Sequence, residues 1–187
     1  MNKLLIITGD LATGKTTFAK SLSERYGIAY FDKDTVKEIL GDTVGFTNRE
    51  ENKRLSVAST ALMEHIFDRF SALGLGLILE ANYHEGEIDA LLRIAEKRGY
   101  EVLTLDLSGS ADKLYPRYCR RIREENRHPV HLCNTIDDRE SYEAYIKNSR
   151  NFVIPGRVIS VNADDFSYQR DAALLSRLDD FFTSRNS

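Results

Sequence analysis

Residues 3–16 of the chain read KLLIITGDLATGKT. Residues 3–8 form a largely apolar run, which is typical of a β-strand covered on both faces. Residues 9–16 then match G-x-x-x-x-G-K-[ST] at every fixed position, and a helical stretch from Lys15 to Tyr26 follows. Glycines let such a loop wrap closely around a phosphate, while its N–H groups and the helix N-terminus face the anion. The stretch therefore predicts a site for a nucleoside triphosphate.

Two side chains of this loop have distinct expected roles. Lys15 should reach the β- and γ-phosphates, and the Thr16 hydroxyl should ligate Mg²⁺. The alternative, a glycine-containing turn with a chance lysine, does not account for the strand, the motif and the helix occurring together. We expect the nucleotide to contact the loop and the start of the helix, that is, Gly9, Asp10, Leu11, Ala12, Thr13, Gly14, Lys15, Thr16 and Thr17.

The composition is that of an ordinary globular protein. The 187 residues are 42% hydrophobic and 29% charged, and 26 basic against 29 acidic side chains give a net charge of −3. We expect one domain spanning residues 1–187. No apolar run approaches the roughly 20 residues that cross a bilayer, and the two cysteines provide no disulfide framework, so we expect a cytoplasmic protein without membrane contact. The mild acidity argues against a protein that coats nucleic acid electrostatically.

Short apolar runs and helical periodicities alternate along the chain. Gly41 is expected to end the second helix, Thr47 to begin the third in a capping box with Glu50, and Ser110 to cap the fifth. Alternation of this kind predicts an α/β fold with a parallel sheet and helices on both faces, and ligands bind such sheets at the carboxyl ends of the strands. The predicted strands are 3–8, 28–31, 75–80, 100–107 and 157–161, and the predicted helices are 15–26, 35–40, 48–73, 85–98, 111–126, 138–150 and 168–185.

Carboxylates follow the second and third predicted strands. Asp34 is the preferred candidate for the group that orients an acceptor hydroxyl and takes its proton, and Asp32 is the competing choice. Asp34 would also serve as the N-cap of helix 35–40. Glu80 is expected in the Mg²⁺ shell or at the acceptor, unless it points into solvent. The candidate acceptor contacts that follow it are Asn82, Tyr83 and His84.

Positive charge is concentrated in residues 112–131, where six lysines and arginines stand against three acids. Arginines there would neutralise charge on a transferred phosphoryl group, whereas the alternative is a solvated helix face laced with ion pairs. We favour Arg117, Arg121 and Arg127 as functional. A zinc site is a further alternative, although its spacing lacks a paired C-x₂-C and Cys119 falls within a helix. Its candidate ligands are Cys119, His128, His131 and Cys133.

The chain resembles a group of small P-loop kinases that includes polynucleotide 5′-hydroxyl kinases, zeta-type toxins and chloramphenicol phosphotransferase. The residues that carry the resemblance are the loop 9–16, the segment Asp34-Thr-Val-Lys37 and the segment Arg127-His128-Pro129-Val130-His131. At the position of Lys37 the group more often has arginine, and a lysine there lacks the bidentate fork of the guanidinium. At the position of Val130 the group usually has glycine, and a valine there stiffens the turn.

The resemblance implies a P-loop NTPase fold of five parallel strands in the order 2-3-1-4-5, with a helical lid at about residues 112–135. It also implies that Asp34 meets the acceptor hydroxyl, that Lys37 assists, and that lid arginines close on the triphosphate with Arg117 over the nucleobase. The loop 162–165 would lie near the adenine, although its alternative is a polar loop with an aspartate N-cap.

We therefore expect an ATP- and Mg²⁺-dependent kinase that transfers the γ-phosphate to a hydroxyl of a small molecule or of a nucleic-acid end. Two alternatives stay open. One is a switch or binding module that hydrolyses a nucleotide without an acceptor, although the chain has no recognisable Asn/Thr-Lys-x-Asp segment for guanine. The second is a toxin-type kinase of nucleotide sugars.

Overall fold

The structure is a computed structural model that describes residues 2–125, 127–131 and 136–184. In these residues a five-stranded sheet is flanked by helices. The strands are β1 (Lys3–Gly9), β2 (Ala29–Asp32), β3 (Leu77–Glu80), β4 (Glu101–Ser108) and β5 (Val158–Asn162). The helices are α1 (Lys15–Tyr26), α2 (Lys33–Val44), α3 (Arg49–Ala72), α4 (Glu87–Arg98), α5 (Ala111–Glu124), α6 (Arg139–Ser149) and α7 (Ala172–Thr183), with 3₁₀ turns at Pro129–His131 and Ser167–Arg170.

The sheet is parallel and its strand order is β2-β3-β1-β4-β5, so the predicted topology is confirmed. Strand β1 lies at the centre between β3 and β4. The loop that leaves β1 therefore emerges at the middle of the carboxyl edge, where the order of the strands reverses. Open α/β sheets bind their ligands at this position.

Side chains of β1 alternate between two cores. Leu5 and Ile7 pack with α1 and α7, against residues such as Phe18 and Phe181. Leu4 and Ile6 pack on the opposite face, with α3 and α4, against residues such as Phe67. The four strand residues are fully buried, which explains why the sequence of β1 is apolar at successive positions rather than at alternate ones.

Helix α2 continues through Gly41, so the predicted stop at this residue is wrong. A Cβ on Gly41 would lie 2.5 Å from Cγ1 of Val130 and 3.1 Å from Cε1 of His128. The glycine is therefore required for the close approach of another segment rather than for ending the helix. The helix ends instead at Gly45, whose φ is +78°.

Three predictions about how a helix begins also differ from the structure. Helix α3 is capped by Asn48, one residue later than expected, because the Thr47 N–H and hydroxyl both donate to Glu51. Ser110 precedes α5 but makes no side-chain cap; its N–H and hydroxyl donate to Asp164 instead. The last predicted helix is divided into the 3₁₀ turn and α7, which Asp171 caps.

Helices α5 and α6 form a small separate core beside the loop that follows β1, centred on Leu114, Tyr118 and Tyr142. This core attaches the first half of the predicted lid to the rest of the molecule. No helix in the described part of the chain is both long enough and apolar enough to cross a membrane.

Candidate functional site

The backbone of the loop between β1 and α1 is held in one conformation. Gly9 has a φ of +136°, and a Cβ there would lie 1.9 Å from the carbonyl oxygen of Leu107, so no other residue fits. Ala12 and Gly14 adopt the left-handed conformation, with φ of 64° and 86°. Turns of this kind direct successive N–H groups toward one point and form an anion site.

Two tyrosines fix the loop from outside. The Tyr142 hydroxyl on α6 donates to the carbonyl oxygen of Leu11 at 3.1 Å, and the Tyr168 hydroxyl donates to that of Thr13 at 2.8 Å. Both tyrosines are buried. Because these bonds use the carbonyl oxygens, they leave the N–H groups of the loop available for a ligand.

A cavity of about 410 Å³, here called the loop cavity, opens over this loop. Its wall contains every residue from Leu11 to Thr17, followed by Asp34, Glu80, Asn82 and several arginines of the predicted lid. Gly9 and Asp10 do not line it, so the prediction that they contact the nucleotide is not supported. They form the first part of the loop, and the conformation of Gly9 shapes the residues that follow.

Asp10 is directed away from the loop cavity. Its carboxylate accepts a hydrogen bond from the N–H of Gly109 at 3.3 Å and lies 4.0 Å from the guanidinium of Arg150. Burial raises the pKa of Asp10, and these two neighbours oppose the rise. Arg150 also donates to Asp106 and to the Thr8 hydroxyl. One arginine at the end of α6 thus joins the loop to β1 and β4, a role for which the sequence carries no local signal.

The ammonium group of Lys15 is buried under the loop. It donates to the carbonyl oxygens of Asp10 at 2.6 Å and Gly9 at 3.2 Å. Burial lowers the pKa of Lys15, while Glu80, Asp34 and Asp10 oppose that change electrostatically.

Thr16 and Glu80, for which a common role at Mg²⁺ is predicted, are in direct contact. The Thr16 hydroxyl donates to Oε2 of Glu80 at 2.8 Å, and Glu80 is only 5% exposed, so it does not point into solvent. Burial raises the pKa of Glu80 to about 7, although Lys15 opposes the rise. A hydroxyl and a buried carboxylate are the hard oxygen donors that Mg²⁺ prefers, and together with phosphate oxygens and water they fit this ion.

The structure separates the roles of Asp32 and Asp34. Asp32 is the N-cap of α2: its carboxylate accepts from the N–H of Thr35 at 2.7 Å and from the Tyr30 hydroxyl at 2.7 Å. The prediction that Asp34 caps this helix is therefore wrong. Asp34 lies in the first turn, exposed to the loop cavity, and its carboxylate has no hydrogen-bond donor among the described residues.

The three polar residues that follow β3 lie in different surroundings. Asn82 lines the loop cavity, and its buried Oδ1 has no partner among the described residues. Tyr83 is 2% exposed and packs in the core beneath α3 and α4, so the prediction that it contacts the acceptor is wrong. Its side chain follows the alternation of β3 and points to the opposite face from Asn82. His84 is exposed at the surface beyond them.

Arg117 lies against the loop that follows β5. Its guanidinium donates to the carbonyl oxygens of Ala163 and Asp164 and stacks on Phe166, with its central carbon 4.0 Å from the ring centroid. Arg117 and Phe166 both line the loop cavity. The stacked pair forms a flat surface at the end of the loop cavity nearest the predicted adenine loop.

The other arginines of the predicted lid differ in whether their guanidinium groups have a partner. Arg121 pairs with Glu125 at 3.1 Å on the surface of α5 while lining the loop cavity, and Arg120, which is not among the predicted functional arginines, also lines it. Arg127 is half-buried, and its guanidinium has no hydrogen-bond or ion-pair partner among the described residues. Burial and then the nearby Arg121 lower the pKa of Arg127.

A smaller cavity of about 140 Å³, here called the inner cavity, adjoins the loop cavity. It lies between α2, α3, α6 and the segment 127–131, and His84 is part of its lining. Asp34, Asn82 and Arg127 line both cavities, so they belong to the shared wall. A third space of about 460 Å³, here called the outer cleft, lies on the other side of Asp34, between α2 and the end of α5.

Lys37 lines the inner cavity and donates to a side chain of α3 and to a backbone carbonyl of the 3₁₀ turn. Its ammonium group donates to Oδ1 of Asn52 at 2.8 Å and to the carbonyl oxygen of Val130 at 3.3 Å. The Asn52 amide donates to the same carbonyl at 3.0 Å. Asn52 thus joins α2, α3 and the predicted lid; an asparagine in a long helix gave no sequence signal for this role.

The histidines of the predicted lid face carboxylates on α2. His128 contacts Asp42 at 2.9 Å, and His131 contacts Glu38 at 2.7 Å. In the described part of the chain no group of three or more His, Cys, Asp or Glu side chains is placed to hold a metal ion. Cys133, the fourth candidate ligand for zinc, lies outside the described residues, as does part of the predicted lid.

No family model and no curated protein matches the chain. Solved structures are similar to it over nearly its whole length. A proposed kinase from Chloroflexus aurantiacus has 24% sequence identity and a TM-score of 0.82, with 96% of this chain and 97% of that chain covered. A sugar kinase from Janibacter sp. has 18% identity and a TM-score of 0.64, covering 96% and 95%.

A third similar structure, a shikimate kinase from Bacteroides thetaiotaomicron, has 17% identity and a TM-score of 0.60, with 94% of this chain and 96% of that chain covered. At these identities the likeness concerns the fold. The chain has the P-loop kinase fold, as the sequence predicts, whereas the resemblance to the polynucleotide-kinase and zeta-toxin group stays a prediction.

Proposed function

We propose that the protein is an ATP-dependent kinase that transfers the γ-phosphate to a hydroxyl group of a small molecule. The observation that carries this proposal is the position of Asp34. Its carboxylate stands in the wall shared by the loop cavity and the inner cavity. A phosphate bound on the loop and a hydroxyl bound in the inner cavity would meet beside this residue.

The loop between β1 and α1 would bind the triphosphate. Its N–H groups would surround the β-phosphate, and Lys15 would exchange the carbonyl oxygens of Gly9 and Asp10 for phosphate oxygens. Thr16 and Glu80 are the residues that would hold Mg²⁺, which when bound neutralises charge on the phosphates. The flat pair of Arg117 and Phe166 offers a stacking surface for the adenine.

In the transfer step the acceptor oxygen attacks the γ-phosphorus while the bond to the β,γ-bridging oxygen breaks. ADP leaves, and the hydroxyl proton passes to the carboxylate of Asp34. Arg127 and Arg121 would supply positive charge beside the transferred group, where it stabilises the charge that develops in the transition state. Positioning and charge neutralisation account for most of the catalysis of phosphoryl transfer.

The similar structures support the same class of reaction. They include a sugar kinase, a gluconokinase from Sinorhizobium meliloti and a shikimate kinase, all of them kinases of small molecules by name. An acceptor of that size also agrees with the volume of the inner cavity, which is well below the roughly 300–1,000 Å³ of pockets for drug-sized ligands.

The test is incubation with γ-labelled ATP and Mg²⁺ against a panel of sugars, sugar acids, nucleosides, nucleotide sugars, antibiotics and 5′-hydroxyl oligonucleotides. Label should move to a small alcohol. Lys15→Ala should abolish transfer with an unchanged circular dichroism spectrum, whereas Lys20→Met, on an exposed part of α1, should retain it.

Three outcomes would contradict the proposal. Steady hydrolysis that no acceptor changes would identify a nucleotide-hydrolysing switch. Transfer confined to nucleotide sugars would identify a toxin-type kinase, and transfer confined to oligonucleotides would identify a kinase of nucleic-acid ends.

A further inference from the structure

The cations in the wall of the inner cavity are engaged elsewhere. The ammonium group of Lys33 lies 2.8 Å from the carboxylate of Glu87, and Lys37 donates to two groups of the protein, as described above. Arg127 lines both cavities and stands beside the γ-phosphate in the proposed reaction. Recognition of an acceptor in this cavity therefore depends on the other hydrogen-bonding groups of its wall.

Tyr145, on α6, is one of these groups. It lines the inner cavity but not the loop cavity, whereas Tyr118 lines both. Tyr145 is half-buried, and its hydroxyl has no hydrogen-bond partner among the described residues. Burial raises the pKa of Tyr145, and the carboxylate of Asp34 raises it further. The hydroxyl therefore keeps its proton at neutral pH, and it can both donate a hydrogen bond to a ligand and accept one.

Helix α6 holds Tyr145 in a fixed position. The Tyr142 hydroxyl, three residues earlier and on the same face of the helix, is bonded to the carbonyl oxygen of Leu11. At the end of the helix, Arg150 is bonded to side chains of β1 and β4. A tyrosine carried by an anchored helix loses little conformational freedom when it binds a ligand, which favours binding.

Asn82 and Asp34 present hydrogen-bond acceptors to the same cavity. The buried Oδ1 of Asn82 has no partner among the described residues, and the carboxylate of Asp34 has no donor among them. Buried polar atoms in native proteins are nearly always hydrogen-bonded, so Oδ1 of Asn82 calls for a donor from a bound molecule. Hydroxyl groups are donors of the kind that both side chains accept.

Two hydroxyl groups on neighbouring carbon atoms would match these three side chains. The first hydroxyl donates to Asp34 and is the one that is phosphorylated. The second donates to Oδ1 of Asn82 and accepts from the hydroxyl of Tyr145, so each of the three side chains gains a partner. The cavity volume of about 140 Å³ corresponds to about five water molecules at roughly 30 Å³ each, which suits adjacent hydroxyls better than widely separated ones.

We infer that Tyr145 binds the acceptor: together with Asn82 it holds a second hydroxyl beside the one that faces Asp34, and it thereby selects vicinal diols over simple alcohols. This inference rests on the proposed kinase activity for the identity of the ligand as an acceptor. The diol site itself does not require that transfer takes place.

The test measures binding without turnover. The protein is saturated with Mg²⁺ and a non-hydrolysable ATP analogue, so that the phosphate loop is occupied. Ligand-observed NMR then gives the dissociation constants of cyclopentanol and of cis- and trans-cyclopentane-1,2-diol. Because the added hydroxyl makes two hydrogen bonds, at least one of the two diols should bind about tenfold more tightly than cyclopentanol.

A tyrosine-to-phenylalanine substitution ties this preference to one hydroxyl. Tyr145→Phe should reduce the ratio to less than about threefold, while the affinities for cyclopentanol and for the ATP analogue stay unchanged. Tyr115→Phe is the matched control and should keep the tenfold ratio. Tyr115 packs against Tyr142 in the core between α5 and α6 but lines neither cavity.

Four results would overturn the inference. They are equal affinities for the alcohol and the diols, no binding of either diol, an unchanged ratio in Tyr145→Phe, and an equal weakening of every ligand in Tyr145→Phe. The last result would show that Tyr145 has a structural role only.

The two proposals fail in different ways. Binding of a diol that depends on Tyr145, without any transfer of label from ATP, contradicts the kinase activity and leaves the diol site in place. Transfer of label to simple alcohols as readily as to vicinal diols contradicts the diol site and leaves the kinase activity in place.

Discussion

Val130 occupies a space that Gly41 leaves in helix α2. Cγ1 of Val130 lies 2.5 Å from the position that a Cβ at residue 41 would occupy, so it would clash with any side chain there. The valine is 2% exposed, and its carbonyl oxygen accepts hydrogen bonds from Asn52 and Lys37. The segment that begins at Arg127 is thereby fixed against α2, which positions Arg127 beside Asp34.

We expect the effects of substitutions at these two positions to be strongly coupled. Gly41→Ala adds a methyl group to a filled space, and overpacking of this kind costs about 1–3 kcal/mol, offset by up to about 1 kcal/mol of helix propensity. In a Val130→Ala background the contact with Cγ1 is removed and only the weaker contact with Cε1 of His128, at 3.1 Å, remains, so most of the cost is relieved. A double-mutant cycle by chemical denaturation should give a coupling of about 1–2 kcal/mol. Additive effects would show that the contact does not matter.

Asp32 and Asp34 should respond differently to substitution. Asp34→Asn removes the proton acceptor and should lower kcat by about 10²–10⁴-fold with little change in ATP affinity. Asp32→Ala removes the N-cap of α2 and should lower the free energy of unfolding by about 1 kcal/mol. Steady-state kinetics and denaturation of both variants check this. A larger loss of kcat in Asp32→Asn, which preserves a capping side chain, would make Asp32 the base.

The buried Glu80 should make stability depend on pH. Its pKa rises from 4.5 to about 7 on folding, so the folded protein holds a proton there that the unfolded chain has already lost. The free energy of unfolding should therefore fall by about 3 kcal/mol as the pH rises through this range.

Glu80→Gln resembles the protonated form at every pH and serves as the comparison. It should remove this part of the pH dependence and be more stable than the unsubstituted protein at about pH 8 in the absence of Mg²⁺. Thermal denaturation across the range measures both slopes. Parallel curves for the two proteins would show that Glu80 is ionised throughout.

Arg150 should be important for stability and for ATP binding although it lines neither the loop cavity nor the inner cavity. Arg150→Met leaves the carboxylates of Asp10 and Asp106 without their cation, and leaving partly buried carboxylates without a partner costs about 1–3 kcal/mol. KM for ATP should rise, because the loop loses the electrostatic contact between Asp10 and Arg150 that holds it in position. Asp10→Asn in the same background should recover part of the stability; no recovery would mean that Asp10 and Arg150 are not coupled.

Local chemistry explains which parts of the molecule the sequence predicts well. The apolar run of β1 and the glycine pattern after it act over a few residues, so the strand, the loop and α1 follow from them directly. The contact of Thr16 with Glu80 follows from the rule that strand ends meet at one edge. The strand order came from resemblance rather than from the residues themselves.

The errors arise where a distant segment gives a residue its role, or where the alternation of a strand continues past its last residue. Gly41 has the usual signal for a helix stop, yet Val130 requires it inside the helix. Tyr83 follows a strand at the ligand edge, but the alternation of β3 directs it into the core. Arg150 contacts Thr8 across 142 positions of the chain, a distance over which no local pattern carries information.

The hydroxyls of Tyr142 and Tyr168 reach the loop from far downstream, across 131 and 155 positions of the chain. A polypeptide growing on the ribosome makes the loop first, and the two tyrosines that bind it are added 131 and 155 residues after their partners. During synthesis the loop would therefore lack these two hydrogen bonds while most of the sheet assembles around it. We expect a nascent chain to acquire affinity for nucleotide late, only after Tyr168 has left the exit tunnel.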